Sequence, residues 1–332
     1  MKSQSFDIKN VYIDSIGIIV SKKEKNGPLG KYFNRYIDDY YFKEKTFEKA
    51  QSKLAKTAIN IAIKKSSFKL DNIDISIGGD LSNQIFSSTS AIKEQCFPFI
   101  GLYAACASGI LGIIISSIML NLESISSALV FSSSHVCVSQ RQLRYPIEYA
   151  SIAKKTTTST LTGACALILA NNKNKFKISK ATIGRIIDIL SNNVNDMGTC
   201  MAFAAIDTFI NHLTNNKETD SDYDLIVTGD LSKFGSSVFL NELTNKGYNI
   251  KDKYYDCGNL VYDDDRQNTY AGGSGPACVM CVTFSYIINQ MIKNNYKKVL
   301  VIGTGALHSQ ISFQQKESIP CIAHAIVLEV DI

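Results

Sequence analysis

This sequence of 332 residues predicts an α/β fold of two duplicated halves, with two buried helices layered between two sheets. Three observations carry that expectation. Short apolar runs alternate with helical patterns along the chain, the signature of α/β architecture. Two sequence echoes recur in the same order. DNIDISIGGDLS (71–82) matches SDYDLIVTGDLS (221–232), with Asp74, Gly79, Asp80, Leu81 and Ser82 each 150 positions before its counterpart. The stretch from Ala104 parallels the stretch from Gly275, each reading small-residue loop, apolar helix, polar turn, buried strand. Such a period is too long for a solenoid repeat. Finally, Gly109–Leu122 and Cys278–Ile292 are apolar nearly all round, which places both helices in the middle of a large fold.

In chain order, the strand candidates are Ile73–Ile77, Ala128–Phe131, Ala164–Leu169, Leu225–Val227, Val299–Ile302 and Ala325–Val330. Each is a short apolar run ending in turn residues. Phe97–Leu102 also reads as extended. The helix candidates are Thr46–Lys64, Gly109–Leu122, Ala202–Leu213 and Cys278–Ile292, with apolar residues at helical spacing. Residues 1–45 and Lys233–Asp265 show poor periodicity and read as peripheral loops. The polar stretch Asn171–Lys180 is the expected boundary, giving halves of 1–172 and 173–332.

Composition narrows the function. Hydrophobic content of 45% and charged content of 20% are those of an ordinary globular chain. The net charge of +5 comes from scattered residues apart from Lys22, Lys23 and Lys25, so no nucleic-acid groove is expected. MKSQSFDIKN has no apolar h-region, and no apolar run reaches the roughly 20 residues of a spanning helix. Nine cysteines without an export signal indicate a reducing compartment. The Cys278–Cys281 pair lies within a helix with no second pair nearby, so it reads as core packing.

The candidate chemistry sits in loops. Cys106 follows a strand and opens an apolar helix, where the macrodipole favours thiolate; a buried inert thiol is the alternative. His135 follows the serine-rich strand end Ser132–Ser134. Arg141 and Arg144 lie in a packed loop, where a guanidinium suits either a bound carboxylate or an internal ion pair. Asn195, Asp196, Met197 and Gly198 stand between a strand and a helix and suit a pocket wall. Tyr255–Asn259 (with Asp256 and Cys257), Ala271–Gly275 and Gly303-Thr304-Gly305 are turns where backbone amides can approach a ligand. His324 precedes the last strand.

Together, Cys106 before a buried helix, Ser132–Ser134, the glycine loop at 272–275 and Gly303-Thr304-Gly305 resemble the thiolase superfamily. The resemblance implies a five-layered αβαβα fold built from two duplicated halves. Within it the chain is similar to the stage V sporulation protein AD family of spore-forming bacteria. That likeness rests on KNGPLG (25–30), Ser133-Ser134-His135, RQLRYP (141–146), TSTLTG (158–163), Asp256-Cys257-Gly258 and QQKESIP (314–320), in order from end to end. It implies binding of dipicolinic acid (pyridine-2,6-dicarboxylate) for its uptake into the developing spore. It also implies membrane-embedded SpoVA partners and a place at the cytoplasmic face of the spore inner membrane. A homodimer is implied by the superfamily. No cofactor is expected; calcium chelated by dipicolinate stays open.

The resemblance also separates binder from enzyme. Condensing members of the superfamily pair their cysteine with His and His or Asn. Here the corresponding glycine loop reads Gly272-Gly273-Ser274, and the other histidine position falls near Asp256-Cys257. A thiolate lacking those partners forfeits several kcal/mol, roughly, of transition-state stabilisation. A retired active site used for binding is therefore expected. Its candidate residues are Cys106, His135, Arg144, Asp196, Met197, Asp256, Cys257, Gly303, Thr304 and His324. The alternatives are a condensing or acyl-transfer enzyme acting through Cys106 on a thioester, and a scaffold that only docks membrane partners.

Overall fold

The computed structural model describes residues 3–122, 124–143 and 153–331. Ten strands form the main sheet: β1 (Gln4–Ser21), β2 (Ile75–Asp80), β3 (Phe99–Gly101), β4 (Ser127–Ser134), β5 (Gly163–Ala170), β6 (Phe176–Ile183), β7 (Leu225–Thr228), β8 (Tyr254–Asp256), β9 (Lys298–Ala306) and β10 (Cys321–Val330). Their order is β8-β7-β9-β10-β6-β1-β5-β4-β2-β3, with Tyr36–Ile37 added on β1. The order is symmetric about the β6–β1 junction. In each half the two strands flanking the first-echo strand run parallel to it, and the remaining pairs are antiparallel. The first echo covers β2 and β7, and the second ends in β4 and β9.

Eight helices matter for the site: α1 (Phe47–Lys65), α2 (Phe86–Ile92), α3 (Ser108–Met119), α4 (Val136–Leu143), α5 (Met197–Asn216), α6 (Ser232–Asn245), α7 (Cys257–Val261) and α8 (Pro276–Val282). A π-helical turn, Thr283–Ile287, carries α8 on to Ile292. The buried side chains sort into layers. Leu54, Ala58 and Ile59 of α1 pack on Leu129, Phe131 and Ile168. Ile110, Ile113 and Ile114 of α3, with Cys278–Val282 of α8, pack between Val130 and Leu167 on one side and Val301 and Leu328 on the other. Met201, Ala205 and Phe209 of α5 cover Ile226, Leu300 and Val327. The result is helix, sheet, helix, sheet, helix. Each fully buried Ile or Leu of the middle layer contributes about 1.5–3 kcal/mol of apolar transfer.

All six strand candidates and all four helix candidates fall on elements of these types. Three expectations are corrected. Residues 1–45 are not peripheral: β1 is an 18-residue strand at the centre of the sheet, joining β5 to β6. Its alternation is broken by left-handed Asn10 (φ 54°) and by register shifts against both neighbours. Lys233–Asp265 holds α6, β8 and α7. The buried face of α6 is Ser232, Gly235, Ser236, Phe239 and Leu243, so small residues hide its amphipathic pattern. A third is corrected in extent only: of the polar stretch 171–180, residues 171–175 form the turn between Gly163–Ala170 and Phe176–Ile183, and β6 is already under way at Phe176. Cys278 and Cys281 are buried free thiols in the middle layer.

Candidate functional site

The strands of each half end at a common cleft. A 3₁₀ turn, Ala105–Ala107, leads into α3 and carries Cys106. Ser108 pins that turn: its Oγ accepts from Ala104 N (3.0 Å) and donates to Ala105 O (2.7 Å). The opposing half supplies the end of β7, the end of β9 and the glycine loop before α8. These are stitched to the first half by hydroxyls. Ser132 Oγ donates to Pro276 O (3.1 Å), and Ser134 Oγ accepts from Ala277 N (3.4 Å). Ser159–Thr160 pairs in parallel with Gly273–Ser274.

The floor is a pair of acidic groups. Asp230, 1% exposed, follows β7. Its Oδ1 accepts from Thr304 Oγ1 (2.6 Å) and its Oδ2 from Gly275 N (3.0 Å). Gly275 has φ of 104°, a conformation that suits glycine alone and aims its amide at the carboxylate. The Cys106 thiol is the third partner of Asp230. Burial, then the Asp230 charge and the hydrogen bond to it, push the Cys106 thiol well above its ordinary range. Burial, with the Asp230 carboxyl beside the sulfur, outweighs the helix terminus and favours the buried-thiol alternative over thiolate. Burial likewise raises the Asp230 carboxyl, against the opposing pull of Thr304, Gly275 and Cys106.

The cleft encloses about 770 Å³ including its mouth. Its polar lining is Tyr103, Ser139, Gln140, Thr157, Thr158, Thr160, Asn195 and Ser274, and its apolar lining includes Leu81, Leu143, Met197 and Met201. Burial, then Cys106 and Asp80, push the Tyr103 phenol up to about 12, so it is a hydrogen-bond donor at neutral pH. No histidine borders the cleft among the described residues.

Of the ten candidate residues, Cys106 and Met197 border the cleft, as do Asn195 and Ser274 of the loops read beside them. Thr304 stands one step behind, through Asp230. Gly303 lies beneath α3, where a Cβ would come within 2.6 Å of Ile110 Cγ1. Asp196 caps α5, accepting from Thr199 N (3.2 Å) and Thr199 Oγ1 (3.0 Å). Asp256 does not border the cleft: its carboxylate gathers Leu231 N, Ser232 N, Asn259 N and Thr228 Oγ1 and so braces the turn that presents Asp230. Cys257 is buried against Thr283. His135 faces away, with Nε2 on Tyr40 O (2.9 Å) and Nδ1 accepting from Cys137 N (3.2 Å). His324 is buried, its Nδ1 accepting from Gly184 N (3.2 Å), and it does not border the cleft. Arg141 pairs with Glu48 (2.6 Å), the ion-pair alternative. Arg144 lies outside the described residues. Sequence reasoning passed over Asp230, although the repeated Gly-Asp-Leu-Ser marked it.

A two-half αβαβα molecule with a cysteine at the head of a central helix is a thiolase-fold protein. Solved structures agree: OleA from Xanthomonas campestris superposes with a TM-score of 0.63 at 15% identity, covering 97% of each chain. A cysteine-to-serine variant of it with bound lauric acid and lauroyl-CoA gives 0.63 at 16% identity, over 96% of this chain and 99% of that one. At this identity the likeness speaks for the fold alone. The sequence pattern of stage V sporulation protein AD (SpoVAD) matches residues 2–329. The stage V sporulation protein AD of Bacillus subtilis (strain 168) is 38% identical over 319 residues, covering 96% of this chain and 94% of the relative. The chain belongs to the SpoVAD family of sporulation proteins.

Proposed function

We propose that this chain is a non-catalytic dipicolinic acid binding protein that serves dipicolinate uptake into the developing spore. The observation that carries the reading is the cleft itself: hydroxyl and amide groups line it, while its one thiol gives its hydrogen to Asp230. Acyl transfer needs the reverse, a sulfur whose proton is taken by a base. A flat dicarboxylate is well served by the hydroxyls of Tyr103, Thr158, Thr160 and Ser274 and by the Gln140 and Asn195 amides. Tyr103 and Leu143, shared with the open groove alongside, form the cleft's outward wall.

On the same reading the partners are the membrane-embedded SpoVA proteins, met at the cytoplasmic face of the spore inner membrane. No described helix is long and apolar enough to cross a membrane. The edge strand β3, with Ile100 exposed, supports a homodimer made by strand addition.

The test is calorimetric titration with dipicolinate of wild type, Cys106→Ala and a Thr158→Val/Thr160→Val double variant. Saturable binding that survives Cys106→Ala and weakens at least tenfold in the threonine variant supports the reading. Acylation of Cys106 by an acyl-thioester, with no dipicolinate heat, overturns it in favour of the enzyme.

A further inference from the structure

We propose that the cleft takes its dianionic ligand together with one proton, carried by Asp230. The inference rests on the reading that a dicarboxylate binds in this cleft. Its geometry is simple: the one carboxyl group bordering the cleft among the described residues is Asp230, 1% exposed beside Cys106.

The surroundings of Asp230 offer nothing to offset a second negative group. The turn before α3 contributes Cys106, and Tyr103 stands in the same cleft wall. From β8 and α7 come Asp256 and Cys257, from α8 Cys278, and from the start of β10 Cys321. Thr304 and the Gly275 amide donate hydrogen bonds but carry no charge. The titratable groups that the charge of Asp230 reaches are all acidic, and no lysine, arginine or histidine among the described residues is one of them. A dianion beside an ionised Asp230 meets repulsion; beside a protonated one it meets a donor. Burial already moves the Asp230 carboxyl toward protonation, and an approaching dianion moves it further in the same direction. The proton comes from solvent, and no bond other than O–H is formed.

The linkage has a definite sign. Below the pKa of Asp230 in the free protein, the site is already protonated and binding takes up nothing. Above it, uptake rises toward one proton per ligand, and affinity falls about tenfold per pH unit.

The experiment is dipicolinate titration, free of calcium, in buffers of different ionisation enthalpy from pH 6 to 9. The result expected is uptake that grows toward one proton as pH rises, and in Asp230→Asn a proton count near zero with affinity independent of pH. Binding without buffer dependence at any pH overturns the proposal and leaves the binding reading intact; so does uptake that persists in Asp230→Asn, or binding seen only once calcium is added. No heat under any condition overturns both. Should Asp230→Asn fail to fold, Thr304→Val decides: removing a hydrogen-bond donor to the carboxylate moves the onset of uptake to higher pH, and an unchanged onset overturns the proposal.

Discussion

Asp80 and Asp230 hold equivalent places at the ends of β2 and β7, 150 positions apart, and their carboxylates are satisfied in opposite ways. Asp80 is closed by its own turn, accepting from Ser82 N (2.7 Å), Ser88 N (2.7 Å) and Ser88 Oγ (2.5 Å), with Ser82 Oγ as a fourth donor. Asp230 reaches instead to β9, to the glycine loop and to Cys106 in the other half. One copy of the motif became a local brace. The other became the floor of the cleft.

The brace carries stability. Removing the Asp80 carboxylate leaves four buried donors without an acceptor, each costing about 1 kcal/mol or more. Asp80→Ala is expected to lose about 2–4 kcal/mol, and Asp80→Asn less, because an amide oxygen still serves some of the donors. Urea denaturation of the two variants checks the order; equal stability of wild type and Asp80→Ala would refute the brace.

The floor controls thiol chemistry. Cys106 is held protonated beside Asp230, whereas Cys96 is an exposed free thiol in the same molecule. Iodoacetamide at pH 7.5 should label Cys96 first and Cys106 slowly, as read by peptide mass spectrometry. Asp230→Asn removes the neighbouring charge and should speed Cys106 labelling about tenfold for each unit its pKa falls, with Cys96 unchanged as internal reference. Fast labelling of Cys106 in wild type would mean a reactive thiolate and would revive the enzyme alternative.

The fold was largely legible because its middle layer cannot be disguised: helices apolar on every side, such as Ile110–Met119, have only one place to go. The strand β1 was illegible because pairing with β5 along one part and β6 along another requires a left-handed Asn10 and register shifts, which erase period-two alternation. In the site, Cys106 was readable from its place before a buried helix. Thr157, Thr158 and Thr160 were not, because their role depends on pairing with Gly272–Ser274, more than a hundred residues away. His135 illustrates the converse: a histidine at a strand end looks chemical in sequence, yet both of its ring nitrogens are spent on backbone groups.

His212 supplies a pH test outside the site. It is buried on the far side of the sheet, with Nδ1 on Thr182 Oγ1 (2.6 Å) and Nε2 on Tyr223 Oη (2.8 Å), and Tyr223 in turn donates to Glu218. Burial lowers its pKa to about 4; Glu218 opposes that shift, while Lys180 and Lys298 reinforce it. In the unfolded chain a histidine titrates near 6.5, roughly. Its folded pKa is therefore depressed, so its contribution is present above about pH 6.5 and is lost as pH falls through about 4. Relative to His212→Gln, wild type should lose about 1–3 kcal/mol between those values. Parallel stability curves for the two proteins across that range would contradict a buried neutral imidazole.

Gly303 was chosen from the sequence as a ligand contact, and its neighbours give it another task. Across the middle layer it faces Ile110, whose Cγ1 and Cβ would lie 2.6 and 2.8 Å from an added Cβ. Both residues belong to a packed layer with no room for a methyl group, and such overpacking costs about 1–3 kcal/mol. Gly303→Ala should therefore lower stability by that amount. Ile110→Ala should lower it by about 2–5 kcal/mol through the cavity it leaves. The double variant places a methyl group where the isoleucine was removed, so it should be more stable than the sum of the two losses implies, by at least 1 kcal/mol, roughly. A double-mutant cycle in urea measures that coupling. Simple additivity would show that Gly303 is kept for something other than the approach of α3 to β9, and a backbone contact with ligand would then be the next explanation to test.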